Sequence, residues 1–173
     1  MIDTPSLLLG PKVQGLFARA LERAQSKGFG EEELVGALRS GDPWAHSLFR
    51  YALAQELCTY LAGICPGIRR VYVYGSTAEN RAGPASDVDL ILWVQKKSTA
   101  LESLLCRVDA LLLRGYRALT GFSSPRSLFD FHIVDDEEVA ERKGYGALVN
   151  SVWTALLPLQ LPERIKEESQ AFT

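Results

Sequence analysis

Apolar residues in the first third of the chain recur every three to four positions, which is the spacing of one face of an α-helix. A first stripe runs over residues 13–24 and is followed by Gly28, a residue typical of helix ends. A second stripe runs over residues 49–64, behind an Asp42-Pro43 pair that suits a helix N-cap and its first turn. The pattern predicts an N-terminal helical subdomain of two or three helices over residues 1–67.

From residue 69 onward the pattern changes to short runs of β-branched and aromatic residues, which favour strands. After the second of these runs, Thr99 and Glu102 form a T-x-x-E pair that predicts the start of a helix. The segment from Gly115 to Pro125 is rich in turn residues and could hold a short strand. The three runs that predict strands lie at residues 71–74, 88–94 and 128–134.

Asp135 and Glu138 form a second cap pair and predict a last helix behind the third strand. Residues 158–173 are expected to form a C-terminal tail, because Pro158 and Pro162 end regular structure. Strands alternating with helices predict an α+β fold over residues 68–157, with a small mixed sheet of three to five strands and flanking helices. The expected apolar face of the last helix comprises Tyr145, Leu148, Val149, Val152, Trp153 and Leu156.

Composition and net charge limit the kinds of molecule that the protein is expected to bind. Hydrophobic residues make up 47% of the 173 residues and charged residues 23%, which is typical of globular proteins. A net charge of -2 gives no broad basic field, so a long nucleic acid is not expected as a partner, whereas a nucleotide remains possible. No apolar stretch reaches the length of a membrane span, so no membrane association is expected.

The three cysteines are odd in number and lack C-x-x-C spacing, which argues against a disulfide framework. Cys58 and Cys106 fall in apolar helical stripes and are expected to be buried free thiols. Reduced thiols, together with an N-terminal sequence that lacks the basic segment of a signal peptide, predict a cytoplasmic protein.

Asp87 and Asp89 open the second strand run with D-x-D spacing, and alternate residues of a strand point to the same face. Two neighbouring carboxylates repel each other and raise each other's pKa unless a cation lies between them. Hard divalent cations such as Mg²⁺ prefer oxygen ligands, so this pair suits a metal site. The alternative is a pair of aspartates in an exposed turn, which is common at strand ends.

Gly75 and Ser76 follow the first strand run and are separated from Asp87 by ten residues. Glycine lets the backbone come close to a ligand, and a serine hydroxyl with the N–H groups of a helix start can hold phosphate oxygens. A plain strand-to-helix turn would fit the Gly-Ser pair equally well. The order of Gly-Ser, spacer and D-x-D is more specific than either part alone.

A third carboxylate is expected on a neighbouring strand if the site binds two metals. Asp130 is the best candidate, because an aspartate inside a strand predicted to be buried is costly unless it is paired or metal-bound. His132 shares its face and is interpreted as a hydrogen-bonded neighbour within the sheet, with a place in the site as the alternative. Asp109 is expected to face solvent, and His46 is expected to lie on the surface.

Gly75-Ser76, the ten-residue spacer, Asp87-x-Asp89 and the later strand aspartate together resemble the signature of the nucleotidyltransferase superfamily with a polymerase-β-like palm. The short chain is most similar to the minimal nucleotidyltransferases, some of which are antitoxins that adenylylate a partner protein. The resemblance covers about residues 68–157. The spacer also keeps residues found in many members of the family, which are Ala78, Ala82, Pro84 and Ser86.

The resemblance implies two divalent metal ions, Mg²⁺ by preference, bound by Asp87, Asp89 and Asp130. Asp130 would also act as the base toward the attacking hydroxyl. It further implies an NTP, ATP by preference, whose phosphates rest on Gly75 and Ser76. The implied reaction transfers a nucleoside monophosphate, AMP by preference, to a hydroxyl of a protein or a small molecule. Minimal members often act with a helical protein, so such a partner or a homodimer is expected.

One departure from the family pattern lies beside the implied phosphate site. Many members have an arginine and a glycine where this chain has Glu79 and Asn80. Asn80 tolerates the left-handed conformation of a glycine, but Glu79 replaces a positive charge with a negative one, and Arg81 is the nearest cation that could substitute. The alternative function is therefore a catalytically inert binding subunit of this fold, an antitoxin-like partner of a helical protein.

Overall fold

The described part of the chain begins with three helices, as the apolar pattern predicted. In a computed structural model of the chain, the described residues are 4–162, with the side chains of residues 10–30 and 32–162. Asp42 caps the third helix by accepting a hydrogen bond from the Ala45 N–H at 2.8 Å, with Pro43 in the first turn. The three helices are α1 (Thr4–Gln25), α2 (Glu31–Ser40) and α3 (Pro43–Ile64).

Four strands follow and alternate with helices, which confirms the predicted α+β class. The three predicted strands are present, and a fourth strand of two residues lies where no strand was predicted. The elements are β1 (Ile68–Tyr74), α4 (Gly75–Ala78), β2 (Val88–Val94), α5 (Thr99–Thr120), β3 (Phe129–Asp135), α6 (Asp136–Ala140), α7 (Gly146–Val149) and β4 (Leu157–Pro158).

The strands form one mixed sheet in the order β3-β2-β1-β4. β1 pairs antiparallel with β2 and with β4, whereas β2 pairs parallel with β3 across the α5 crossover. One face of the sheet, including Leu90 and Leu92, shares a single hydrophobic core with α1, α3 and α5. Ile91 lies on the opposite face, in a smaller apolar cluster with Val139 of α6 and partly buried Leu148 of α7. The odd-numbered positions of β2, Asp89 among them, therefore face the short helices.

The predicted start and end of α5 need correction. The N-cap is Ser98, whose side chain accepts from the Leu101 N–H at 3.2 Å, so the expected Thr99–Glu102 capping box is wrong by one residue. The helix also continues through Gly115, where a turn and a short strand were expected. A Cβ at position 115 would lie 3.3 Å from the Phe17 ring. The glycine is therefore there for close packing of α1 against α5, and it does not break the helix.

The single long helix expected after β3 is also wrong. The Asp135–Glu138 capping box is present, but α6 has five residues and α7 has four. Arg142 and Gly144 have positive φ angles and turn the chain between the two helices. Trp153 is 93% exposed and lies outside any helix, because the chain there leaves α7 and returns to the sheet edge through β4.

Of the two cysteines expected to be buried, one is buried and the other is exposed. Cys58 is a buried thiol as predicted, but Cys106 is exposed, because the apolar stripe of α5 buries Leu105 and Val108 instead. Beyond β4, the Leu159 N–H donates to the Val71 carbonyl at 2.9 Å. The remainder of the predicted tail, residues 163–173, lies outside the described residues. None of the described helices has both the length and the hydropathy needed to cross a membrane.

Candidate active site at the edge of the mixed sheet

The Gly-Ser pair forms a tight turn from strand into helix. β1 ends at Tyr74, and Gly75 begins α4 with a φ of +70°, in the left-handed region that favours glycine. The Arg81 N–H donates to the Ser76 carbonyl at 3.0 Å, so the chain folds back on this turn. A Cβ atom at position 75 would overlap Oδ2 of Asp89. The turn and the D-x-D motif are thus in direct contact.

The strand register brings two of the three candidate carboxylates together. Asp89 of β2 is aligned with Asp130 of the parallel strand β3, and Tyr74 of β1 is aligned with Asp89 on its other side. One ligand atom from each of Asp89, Asp130 and His132 lies within 4.8 Å of the others. The alternation of residues along β3 predicted that Asp130 and His132 share a face, and their side chains do lie together.

Asp87 lies one residue before β2 and, among the described residues, is not part of this group of three ligand atoms. Its charge nevertheless acts on the group. Partial burial raises the pKa of Asp89 above the usual range of a carboxyl, and the negative charges of Asp87 and Asp130 raise it further, against a lowering effect of His132. The three carboxylates therefore repel each other electrostatically.

A divalent cation fits this arrangement. Carboxylates that repel each other gain free energy when a cation lies between them, and the Asp89 and Asp130 oxygens are the ligands that hard divalent ions prefer. The imidazole of His132 adds one nitrogen donor within the same radius. Asp89, Asp130 and His132 are thus able to hold a metal ion, with Asp87 adding charge beside them.

The side chain of Asp130 is more exposed than the sequence pattern predicted. Its side chain is 48% exposed, so the prediction of an aspartate inside a buried strand is wrong. β3 is at the edge of the sheet: among the described residues it pairs with β2 on one side and with no strand on the other, which explains this exposure. Nε2 of His132 lies 3.1 Å from Oδ2 of Asp130, and the His132 ring stacks on Tyr145 at 3.7 Å between centroids.

Tyr74 also lies in the site, although no sequence pattern had indicated it. Partial burial raises the pKa of its phenol, and the nearby charge of Asp89 and the interaction with Tyr145 raise it further. The hydroxyl therefore remains protonated beside the carboxylates. Its position as the last residue of the strand before Gly75, aligned with the D-x-D motif, is the feature that could have identified it.

Asp109 does not face solvent, which corrects a second prediction about carboxylates. Its Oδ1 accepts hydrogen bonds from the backbone N–H groups of Leu128 at 3.0 Å and Phe129 at 2.8 Å. Burial raises its pKa, the two backbone hydrogen bonds act in the opposite direction, and the charge of Asp87 raises it further. Asp109 thus ties α5 to the beginning of β3, one residue before Asp130.

The loop between Asn80 and Asp87 is hydrogen-bonded to α3. The Ala82 N–H donates to Oγ of Ser47 at 2.9 Å, and Nη2 of Arg50 donates to the Pro84 carbonyl at 3.3 Å. His46 of the same helix is fully buried, so its predicted surface position is wrong. Periodicity could not reveal this, because the polar face of α3 is covered by the loop and by α5.

Glu79 and Asn80, the two residues beside the Gly-Ser turn that depart from the family pattern, have a defined geometry. Asn80 has a φ of +57°, the left-handed conformation that its side chain was expected to tolerate. Glu79 and Arg81 form an ion pair with each other, and both side chains are more than half exposed. The negative charge of Glu79 is thus partly neutralised by the next cation along the chain.

Comparison with known families agrees with this geometry. Residues 52–143, just over half of the chain, match the nucleotidyltransferase domain, and the match includes Gly75-Ser76, Asp87, Asp89 and Asp130. No curated protein and no solved structure matches the chain significantly. The matched region extends from within α3 to the turn after α6. The chain belongs to the nucleotidyltransferase domain family, as its resemblance to the polymerase-β-like superfamily predicted.

Proposed function

We propose that this protein is a Mg²⁺-dependent enzyme that transfers a nucleoside monophosphate, AMP by preference, from an NTP to an acceptor hydroxyl. The observation that carries the proposal is the alignment of Asp89 with Asp130 directly beside the Gly75-Ser76 turn. Asp87, Asp89 and Asp130 would hold the divalent ions, which neutralise phosphate charge and lower the pKa of a bound hydroxyl.

The residues of the chain then have distinct roles. Gly75 lets the backbone approach the phosphates, and the Ser76 hydroxyl donates to a phosphate oxygen. Asp130, with Nε2 of His132 at 3.1 Å from its Oδ2, is the carboxylate that would accept the proton of the acceptor hydroxyl. The acceptor oxygen bonds to the α-phosphorus while the bond from that phosphorus to the bridging oxygen breaks. Pyrophosphate leaves with the electron pair, and the product is a phosphodiester or a phosphoester-linked nucleotide.

The acceptor in this proposal is a side-chain hydroxyl of a protein or a hydroxyl of a small molecule. The net charge of -2 supports it, since a long nucleic acid requires a basic surface to bind. The resemblance to minimal nucleotidyltransferases supports a helical protein or a second copy of the chain as partner, in the cytoplasm. Transfer of labelled nucleotide to RNA, but to no protein or small molecule, would contradict this choice of acceptor.

A catalytically inert binding subunit is the second candidate, and one observation favours it. The Glu79 carboxylate lies beside the Gly-Ser turn, where its negative charge opposes the binding of a triphosphate, and its partner Arg81 is already engaged in the ion pair. Against this candidate, an inert scaffold would gain nothing from keeping three carboxylates that repel each other.

Thermal unfolding with Mg²⁺ and each of the four NTPs tests the proposal. A ligand present at 100 times its Kd stabilises the folded state by about 2.7 kcal/mol. We expect a rise in Tm that needs both Mg²⁺ and nucleotide and is absent in the double variant Asp87→Asn/Asp89→Asn. Asp136→Asn is the matched control, because this exposed aspartate of α6 pairs with Arg69 outside the site.

Two further outcomes separate the candidates. No rise in Tm with any NTP favours the inert binding subunit, and the search then turns to binding proteins. A rise that persists in the double variant places the nucleotide elsewhere on the chain and rejects the site. With binding established, incubation with α-labelled ATP and the purified candidate acceptors detects the transfer itself.

A further inference from the structure

Arg50 of α3 is a fully buried cation that pairs with no carboxylate among the described residues. Its relative exposure is 0%, and no acidic residue in the described part of the chain forms an ion pair with it. Its Nη1 has no hydrogen-bond partner among the described residues. Removing a guanidinium from water without a paired charge is costly, so a residue in this position requires an explanation.

A chain of hydrogen bonds fixes the guanidinium in place. Nε2 of His46 lies 2.8 Å from the Leu38 carbonyl, which can only accept, so Nε2 carries the proton. Nδ1 of His46 therefore accepts from the Tyr116 hydroxyl, and the same hydroxyl oxygen accepts from Nε of Arg50 at 3.0 Å. Burial lowers the pKa of His46, with Arg50 acting in the same direction, which keeps the imidazole neutral.

The guanidinium also lies over the Tyr116 ring, with 4.9 Å between Cζ and the ring centroid. Arg50 thus interacts with Tyr116 of α5 in two ways, and its other hydrogen bond to a described residue runs from Nη2 to the Pro84 carbonyl. Pro84 lies in the middle of the loop that ends at Asp87. One turn earlier on the same helix face, Ser47 holds the N–H of Ala82. Two residues of α3 therefore anchor the loop at two points.

Arg50 interacts electrostatically with Asp87 of the candidate metal site. Burial lowers the pKa of Arg50, while the interactions with Tyr116 and the negative charge of Asp87 raise it. The cation is thus stabilised partly by the carboxylate at the end of the loop that it anchors. Neither the Gly-Ser turn nor the D-x-D motif requires such a residue on α3.

We infer that Arg50 is a positioning residue, which fixes the loop of residues 82–87 against α3 and so places the Asp87 carboxylate for binding of the divalent ion. Oriented by Tyr116 and His46, it acts through the Pro84 carbonyl and through its charge. The inference rests on the proposed function for the role of Asp87, but the anchoring of the loop is independent of that function.

Two substitutions test the inference. Arg50→Met removes the charge and the hydrogen bond to Pro84 and keeps most of the apolar stem. Tyr116→Phe keeps the ring but removes the hydroxyl that orients Arg50. Leu57→Ala is the control, because it removes a fully buried side chain from the same helix away from the loop and should lower Tm by a comparable amount.

Hydrogen exchange of the loop amides gives the first measurement. We expect exchange at the loop amides of residues 82, 83 and 85–87 to become at least about tenfold faster in Arg50→Met, less so in Tyr116→Phe, and no faster than the global loss of stability predicts in Leu57→Ala. Unchanged exchange in Arg50→Met would overturn the inference, whether or not the protein is an active transferase.

Binding of Mn²⁺, followed by its electron paramagnetic resonance signal, gives the second measurement. We expect Arg50→Met to raise the Kd for Mn²⁺ at least about tenfold, as removal of other groups that orient metal ligands does, and Leu57→Ala to leave it unchanged. A loosened loop with an unchanged Kd would overturn the link between Arg50 and Asp87. Wild-type protein that binds no Mn²⁺ would instead defeat the proposed function, and the exchange measurement alone would then decide whether Arg50 anchors the loop.

Discussion

Gly75 and Asp89 are in contact across the β1–β2 pair, and the contact leaves no room for a side chain at position 75. A Cβ there would overlap Oδ2 of Asp89, and the backbone has a φ of +70°. The two halves of the nucleotidyltransferase motif therefore constrain each other sterically. The orientation of the Asp89 carboxylate depends on a glycine that faces it.

Replacing Gly75 with alanine should impair catalysis more than stability. The left-handed conformation costs a non-glycine residue about 1–2 kcal/mol, and the new methyl group must push the Asp89 carboxylate aside. Since a displacement of about 1 Å can cost about 100-fold in rate, we expect a loss of that order in nucleotidyl transfer. Gly36→Ala in α2, where a Cβ meets nothing within 4 Å, is the control and should retain full activity. An active Gly75→Ala enzyme would show that Asp89 has room to move.

The contact between His132 and Asp130 should determine metal affinity. His132→Phe keeps the stacking on Tyr145 but removes the imidazole nitrogen that lies 3.1 Å from Oδ2 of Asp130 in the candidate metal site. Losing such a partner typically costs about 10- to 100-fold in metal affinity, and we expect a loss in this range for Mn²⁺ by titration calorimetry. His132→Gln, which retains an N–H donor, should lose less. Equal affinities of the phenylalanine variant and wild type would exclude this role.

Glu79→Gln should strengthen nucleotide binding, because it releases Arg81 from its ion pair and removes a negative charge beside the Gly-Ser turn. Exposed charge pairs are worth about 1 kcal/mol or less, so the KM for ATP should fall about two- to fivefold. Steady-state kinetics at low and high salt measure this change, and the gain should shrink at high salt. Glu141→Gln removes a similar exposed pair with Lys143 and serves as the control. A KM that stays the same or rises would argue that Arg81 does not approach the phosphates.

Glu56 of α3 predicts a pH dependence of stability. Burial acts to raise its pKa, but the hydrogen bonds and charges of Arg23 and Arg19 outweigh burial, and its pKa is lowered overall. A carboxylate with a lowered pKa contributes stability above its unfolded pKa of about 4.3, and the contribution is lost as the pH falls through the folded pKa.

Glu56→Gln should therefore be less stable than wild type at pH 7, by about 1–2 kcal/mol, because the two arginines are half exposed and remain hydrated. Urea unfolding at a series of pH values should show the two proteins converging below about pH 4. The same Glu141→Gln control should differ little from wild type at any pH. A difference that stays constant down to pH 3 would mean that packing, and not charge, holds α1 against α3.

The parts of the site that follow from strand alternation could be predicted from the sequence. The period of two along β3 puts Asp130 and His132 on the same face, and this rule is local. Capping at Asp42 and at Asp135 is equally local, and both caps are present. The Gly-Ser turn adds a backbone requirement that glycine alone satisfies without strain.

The features that were not predicted, or were predicted wrongly, depend on contacts between distant segments of the chain. Arg50 contacts Pro84 and Tyr116, which are 34 and 66 residues away, and no periodicity along α3 indicates such partners. Gly115 was interpreted as a helix break because its partner Phe17 lies in α1, far away in the sequence. Buried polar residues such as His46 were assigned to the surface because their burial depends on which element covers them.

Asp109 has a consequence for the behaviour of the protein in solution. β3 is an edge strand, and an uncovered edge offers its N–H groups to strands of other molecules, which is a common route to aggregation. Asp109 occupies the N–H groups of Leu128 and Phe129, where that edge begins. At the beginning of the strand that carries Asp130, this carboxylate of α5 thus leaves two fewer backbone donors available for pairing with a strand of another molecule.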